Sequence, residues 1–240
     1  DQLVDVPKDM RIVGQFGLAE TFPHPGLQLS VANLIEVMIT ESDNTATDVS
    51  MGLAGGAEAV TENLRRLGIT DFRVDRLTGE ILRDVFDLPG KATLEVVTEA
   101  YKTRPELLAT QADANPAFEA DPRDHATPLA MLQLLLAIDG GTAMSPESRE
   151  FLLGVMSRTR TGDGRIKGLL PKGTPVAHKT GTAGGIANDV GYITLPDGRR
   201  FAIVVFTNSS QTPVSDRDRA IAEISRTLFD HFNLPPVAKQ

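Results

Sequence analysis

The sequence predicts an α+β fold: a helical stretch covering most of the chain, then an antiparallel sheet and a closing helix. Three observations lead there. Residues 30–158 carry apolar positions at helical spacing, several of the runs opened by a Ser or Thr cap or closed by glycine. Residues 175–207 switch to short β-branched runs separated by a turn. Residues 216–232 return to an amphipathic helical pattern.

The elements follow in order. Ser30 caps a helix carrying Leu34, Ile35, Val37, Met38 and Ile39, which stops near Ser42-Asp43-Asn44. A second helix starts at Thr45 and ends near Gly55-Gly56. A third covers 57–67, with Gly68 at its C-terminal end. Residues 77–123 are the least regular part, with two short helices, and a connection this long is usually functional or mobile. Thr127-Pro128 and Ser145-Pro146 each place a cap before a proline, opening helices over 129–138 and 147–158. Strands are expected over 175–181, 189–195 and 201–207, with a Pro196-Asp197-Gly198-Arg199 turn before the last. The expected division is an all-helical part, 1–158, containing the long loop 77–123, and a sheet-plus-helix part, 159–240.

Composition narrows the function. The 240 residues are 41% apolar, enough for a sizeable core. The net charge of −8 disfavours nucleic acid and anionic membranes as partners. With no cysteine, thiol catalysis and disulfides are excluded. No apolar run approaches membrane-spanning length, and Asp1-Gln2-Leu3-Val4-Asp5 lacks the basic start and apolar stretch of a signal peptide, so a mature or trimmed soluble chain is expected. His24, His125, His178 and His231 show no metal-ligand spacing. Asp113-Ala114-Asn115 hints at a calcium loop, but Phe118 stands where glycine is needed. No metal and no organic cofactor is expected.

Two motifs carry chemistry. Ser42-Asp43-Asn44 lies between two helices, and His178-Lys179-Thr180-Gly181-Thr182 lies on a strand leading to Ala183-Gly184-Gly185. Each alone is common, since S-x-N often only caps a helix and K-T-G is an ordinary strand end. Their order, with a hairpin and a C-terminal helix after the second, resembles the class A β-lactamase group of penicillin-recognising serine hydrolases. The resemblance extends over almost the whole chain. Arg76 and the segment 121–128 match the two ends of that family's omega loop, and Asp124 matches the aspartate that pairs with the arginine.

The resemblance implies an all-α domain joined to an α/β sandwich domain, and an acyl-transfer site. Ser42 would pass a proton to the departing nitrogen, and Lys179 would supply positive charge and hold Ser42. Asn44 would bind the substrate's side-chain amide. Thr180 and Thr182 would contact its carboxylate, Gly181 would let substrate lie close, and the Thr182 N–H would be one oxyanion donor. Arg165 matches one place from which the family supports the carboxylate. It reads equally as a solvated loop residue. The implied substrate is a β-lactam or a D-Ala-D-Ala peptide, and the implied location is periplasmic or secreted.

Two departures bear on activity. The S-x-x-K nucleophile motif is expected roughly sixty residues before Ser42, yet only 41 residues precede it and no serine here has lysine three positions on. The nucleophile and the first strands of the sheet are therefore expected upstream, supplied in cis or in trans. The loop glutamate that activates hydrolytic water would fall on Thr78. Glu80 is the nearest substitute, although a surface charge is the preferred reading of it. A D-alanyl-D-alanine carboxypeptidase, and an inactive penicillin-binding or interaction module, remain as alternatives.

Overall fold

The computed structural model describes residues 2–14, 17–110 and 112–234, so Asp1 and residues 235–240 of the two expected parts lie outside it. The fold is α+β. Its first part opens with strand β1 (Leu3–Asp5), a 3-10 turn (Lys8–Met10) and a short helix α1 (Leu18–Thr21). Strand β2 (Gln28–Ser30) returns antiparallel to β1. This ribbon corrects the all-helical expectation for 1–158. Three-residue strands leave no periodic signal, and only chain reversal pairs them.

Helices α2 (Val31–Thr40), α3 (Asn44–Leu53) and α4 (Gly56–Arg66) follow. The Ser30 hydroxyl accepts the Asn33 N–H at the start of α2, a cap worth about 1 kcal/mol. Gly68 closes the last of them at φ 78°, a left-handed conformation that glycine adopts without a Cβ clash. Leu34, Ala46 and Val49 bury the facing sides of α2 and α3 against Val6 and Leu18.

The long loop is more ordered than its sequence suggests. It folds into α5 (Thr78–Val85), α6 (Leu94–Thr103), α7 (Glu106–Thr110) and α8 (Pro116–Glu119). Thr93 and Asn115 cap α6 and α8. Ile12, Leu88, Ala92, Val97 and Ala100 form a local core beneath them. Helices α9 (Pro128–Asp139) and α10 (Pro146–Met156) start at the expected Thr127 and Ser145 caps.

Strands β3 (Val176–Ala183), β4 (Ile186–Thr194) and β5 (Arg200–Thr207) form an antiparallel sheet in the order β3-β4-β5. Strand β4 begins three residues before its expected start, because Gly184 and Gly185 close a two-residue hairpin that pairs Ala183 with Ile186. One sheet face packs on α11 (Val214–Asn233) through Ile193, Ile203, Val205, Ile221 and Phe229. The other packs through Val190, Tyr192 and Phe206 on Leu135, Met131 and Met156 of α9 and α10 and on Ile39 of α2. Lys179 faces this second layer, so the sheet meets the helices at the catalytic candidates. Among the described residues β5 is paired on one side only.

Candidate active site

The S-D-N segment is shaped by two helix ends. The Asp43 N–H donates to the Val37 carbonyl and closes α2. The Asp43 carboxylate then caps α3, accepting the Ala46 N–H, and also accepts the Leu18 N–H, both at 2.6 Å. Burial pushes this carboxyl above the ordinary range, and the two amide bonds oppose the shift. Held between the helices, Ser42 takes a left-handed φ of 58°, unusual outside glycine and asparagine. Thr45 binds both the N–H and the carbonyl of Ile12, and Asn44 Nδ2 donates to the Val13 carbonyl at 2.7 Å. Among the described residues the Asn44 amide oxygen accepts no hydrogen bond.

Strand β3 brings the second motif to the first. Lys179 Nζ donates to Ser42 Oγ at 2.8 Å and to the Thr180 carbonyl at 2.6 Å. Desolvation pulls the Lys179 pKa from 10.5 to about 8; the Asp189 carboxylate raises it and the Arg165 guanidinium lowers it. At neutral pH the ammonium still predominates. Because it donates to Ser42, the serine's own O–H remains available to another acceptor.

Thr180 is buried and its hydroxyl lies 2.6 Å from that of Thr161. Thr182 is exposed. Over Gly181 the strand surface is open: a Cβ there would find nothing closer than Asn188 Cβ at 3.8 Å. Arg165 is no solvated loop residue. It is 5% exposed and its guanidinium holds Thr182 Oγ1 at 2.7 Å, the Asn188 and Gly181 carbonyls at 2.8 and 3.1 Å, and the Asp218 carboxylate at 2.7 Å. Five fixed donors in one plane suit this multiple grip. A groove of about 570 Å³ adjoins Lys179, Thr180 and Gly181, walled by apolar Val190, Phe206, Met131 and Phe72.

At the base of the long loop, Arg76 Nε lies 2.6 Å from the Asp124 carboxylate, and Nη1 reaches Asp84 at 2.6 Å and Asp121 at 3.2 Å. Thr78, in the position expected for the hydrolytic base, begins α5. Its N–H and that of Gly79 donate to the buried Asp48 carboxylate at 2.6 and 3.0 Å. Burial pushes the Asp48 carboxyl upward. Glu80 sits at the third position of the same helix and accepts the Leu77 N–H at 2.9 Å. Its carboxylate is committed to a helix end and does not line the groove. Sequence reasoning missed the structural roles of Asp48, Thr161, His178 and Asp189. Of these only His178, beside Lys179, carried a positional hint. Among the described residues no group of three or more His, Asp or Glu is placed to hold a metal.

An α+β molecule in which K-T-G on a strand meets S-D-N on a helical turn defines the class of penicillin-recognising serine hydrolases of the class A type. The chain belongs to the β-lactamase enzyme family, whose model matches residues 1–232. It is 30% identical over 241 residues to β-lactamase VEB-1 of Pseudomonas aeruginosa, covering 97% of this chain and 69% of that protein. It is also 30% identical over 221 residues to a β-lactamase of Bacteroides uniformis, covering 89% and 64%. The chain thus spans about two-thirds of the length of these curated relatives. Among solved structures it is similar to a β-lactamase from Chitinophaga pinensis (TM-score 0.75, 27% identity, 97% of this chain and 76% of that one). The TLA-3 extended-spectrum β-lactamase gives TM-score 0.74 at 29% identity, with 98% and 76% covered.

Proposed function

We propose that this chain carries most of the active site of a serine β-lactamase-type hydrolase that opens the lactam amide through an acyl-enzyme. The nucleophilic serine is contributed by a segment outside residues 1–240, upstream in the same protein or supplied in trans. The observation that supports this most strongly is the 2.8 Å bond from Lys179 to Ser42, which joins sheet and helices across 137 positions of sequence.

In this reading Lys179 keeps its proton and attracts the substrate carboxylate, together with Thr180, Thr182 and Arg165 behind them. Ser42, with its oxygen held by Lys179, donates its O–H to the lactam nitrogen as the amide bond breaks. Asn44 offers its amide oxygen to the substrate's side-chain amide, and Gly181 lets the substrate lie along β3. The Thr182 N–H is one oxyanion donor; the other is the nucleophile's own backbone N–H, so residues 1–240 alone are inactive. The groove beside Lys179 would receive the nucleophile-bearing segment. A periplasmic or secreted location fits such substrates, and no helix among the described residues is long and apolar enough to cross a membrane.

Thr78 in the base position and Glu80 at a helix end favour slow deacylation, which keeps a D-alanyl-D-alanine peptidase as the second reading. The test is a fluorescent penicillin on the full-length protein. A stoichiometric label that is quickly lost supports the lactamase, and a persistent label supports the peptidase. No label supports a non-catalytic module. Ser42→Ala should slow labelling by roughly a hundredfold or more, the usual worth of a positioned proton donor.

A further inference from the structure

Behind the strand that carries Lys179 lies a polar pair that the chemistry above does not use. His178 and Asp189 are both fully buried. Alternation along β3 puts the His178 side chain on the face opposite Lys179. Asp189 is the register partner of Thr180 and shares the His178 face. His178 Nδ1 lies 2.8 and 3.0 Å from the two Asp189 oxygens. His178 Nε2 has no partner among the described residues.

The pair is a junction. Asp189 Oδ2 also accepts the N–H of Ile166, the residue after Arg165. The His178 carbonyl accepts from the Thr159 hydroxyl, and the Thr159 carbonyl accepts from Lys167 Nζ. One carboxylate therefore ties β3 and β4 to the segment that delivers Arg165 under Thr182. The fold makes room for it. Gly191 stands opposite His178, and a Cβ there would lie 2.1 Å from the Ala177 carbonyl oxygen and 2.8 Å from His178 Cβ. A buried carboxylate beside a half-partnered imidazole is a costly filling for a core where apolar side chains would pack.

We propose that Asp189, oriented by His178, is a positioning residue for acyl transfer: the buried carboxylate that backs the strand carrying Lys179 beneath Ser42 and holds the Arg165 segment in place. This rests on the reading of the site given above. The charged groups around the pair are Lys179 through the sheet, Arg165 and Lys167 from the preceding segment, Asp163 beside Lys167 at 3.8 Å, and Asp218 on α11 against Arg165. Burial and Arg165 both push Lys179 toward its neutral form, and the Asp189 charge opposes them.

The test measures Lys179 directly and then through chemistry. In the full-length protein with 13C-labelled lysine, the signal absent from Lys179→Met reports the Lys179 titration, whose midpoint is expected near 8. Asp189→Asn should move that midpoint down by on the order of one pH unit, the effect of removing one charge across a sheet. The alkaline limb of the penicillin-labelling rate should move by the same amount. His178→Asn keeps the carboxylate but frees its orientation. It should leave the midpoint in place and slow labelling by about tenfold through misplaced Arg165. An unmoved midpoint in Asp189→Asn overturns the proposal. Should that variant not fold, an unchanged labelling rate in His178→Asn does so instead. If the wild type takes no label, the acyl-transfer reading fails, while the Lys179 midpoint still decides the electrostatic role of Asp189.

Discussion

Replacing Arg76 by alanine should unfasten the long loop. The side chain is 4% exposed and its guanidinium binds three carboxylates, Asp124, Asp84 and Asp121. Asp124 also accepts the N–H groups of Asp75 and Arg76, so it cannot swing to solvent without losing them. Breaking one side of a buried ion pair costs about 3–5 kcal/mol. The low end applies, because Asp84 and Asp121 are partly exposed and keep Arg83 and Arg123 as partners. A loss of about 3 kcal/mol corresponds to a Tm drop of roughly 6–12 °C in a chain of this size. Arg76→Lys should recover less than half, since a point charge cannot fork to three acceptors. The pH dependence has a definite sign. Arg83 beside Asp84 and Arg123 beside Asp121 hold these carboxyls below the ordinary value of 3.8, and Arg76 adds to both. Depressed pKa values contribute stability above that pH and lose it as pH falls, so the gap between wild type and Arg76→Ala should narrow below about pH 4. Urea unfolding across pH, with limited proteolysis to locate cuts within 77–123, measures both effects. A destabilisation under about 0.5 kcal/mol, typical of a surface pair, would refute the closure argument.

Other outcomes follow from single contacts. Gly191→Ala should cost several kcal/mol or abolish folding, because its Cβ would overlap the β3 backbone. Gly181→Ala has room and should leave the Tm nearly unchanged while slowing penicillin labelling, which separates substrate clearance from packing. Asp48→Ala removes the acceptor for two amides at the start of α5 and should cost about 1–2 kcal/mol in urea unfolding. Glu80→Gln should leave the deacylation rate of the full-length protein unchanged within about twofold; a collapse of deacylation would return Glu80 to the role of base. The lowered Lys179 pKa disfavours the charged folded form below about 8, so wild-type stability should rise relative to Lys179→Met between pH 8 and 10.5. A flat difference curve would mean that Lys179 is not desolvated.

Local chemistry was readable without coordinates. Ser30, Thr127 and Ser145 start helices because a hydroxyl satisfies an otherwise orphaned amide, and that depends on neighbours within three positions. The β-branched run at 201–207 and the order of S-D-N and K-T-G were legible for the same reason, and the motif order pointed to the family. The ribbon of β1 and β2 was not legible, and of the four helices within 77–123 only two short ones were expected. Short segments have weak propensities; the ribbon is held by packing of Val4 and Leu29 around Val6 and Leu34, and α5 and α6 by the core of Ile12 and Leu88. Nor could sequence separate the two readings of Arg165 or of Glu80. A guanidinium is either solvated or gripped according to what lies across from it, and the Gly181 and Asn188 carbonyls and Asp218 arrive from β3, β4 and α11. Glu80 lies at a helix end whose first amides, those of Thr78 and Gly79, are anchored by Asp48 from α3. The sequence by itself determined which residue types could do acyl-transfer chemistry and which helices could carry them. Tertiary structure alone decided that Arg165 is gripped behind Thr182 and that a buried Asp189 stands behind Lys179, because burial and charge coupling depend on distances through space that no local pattern encodes.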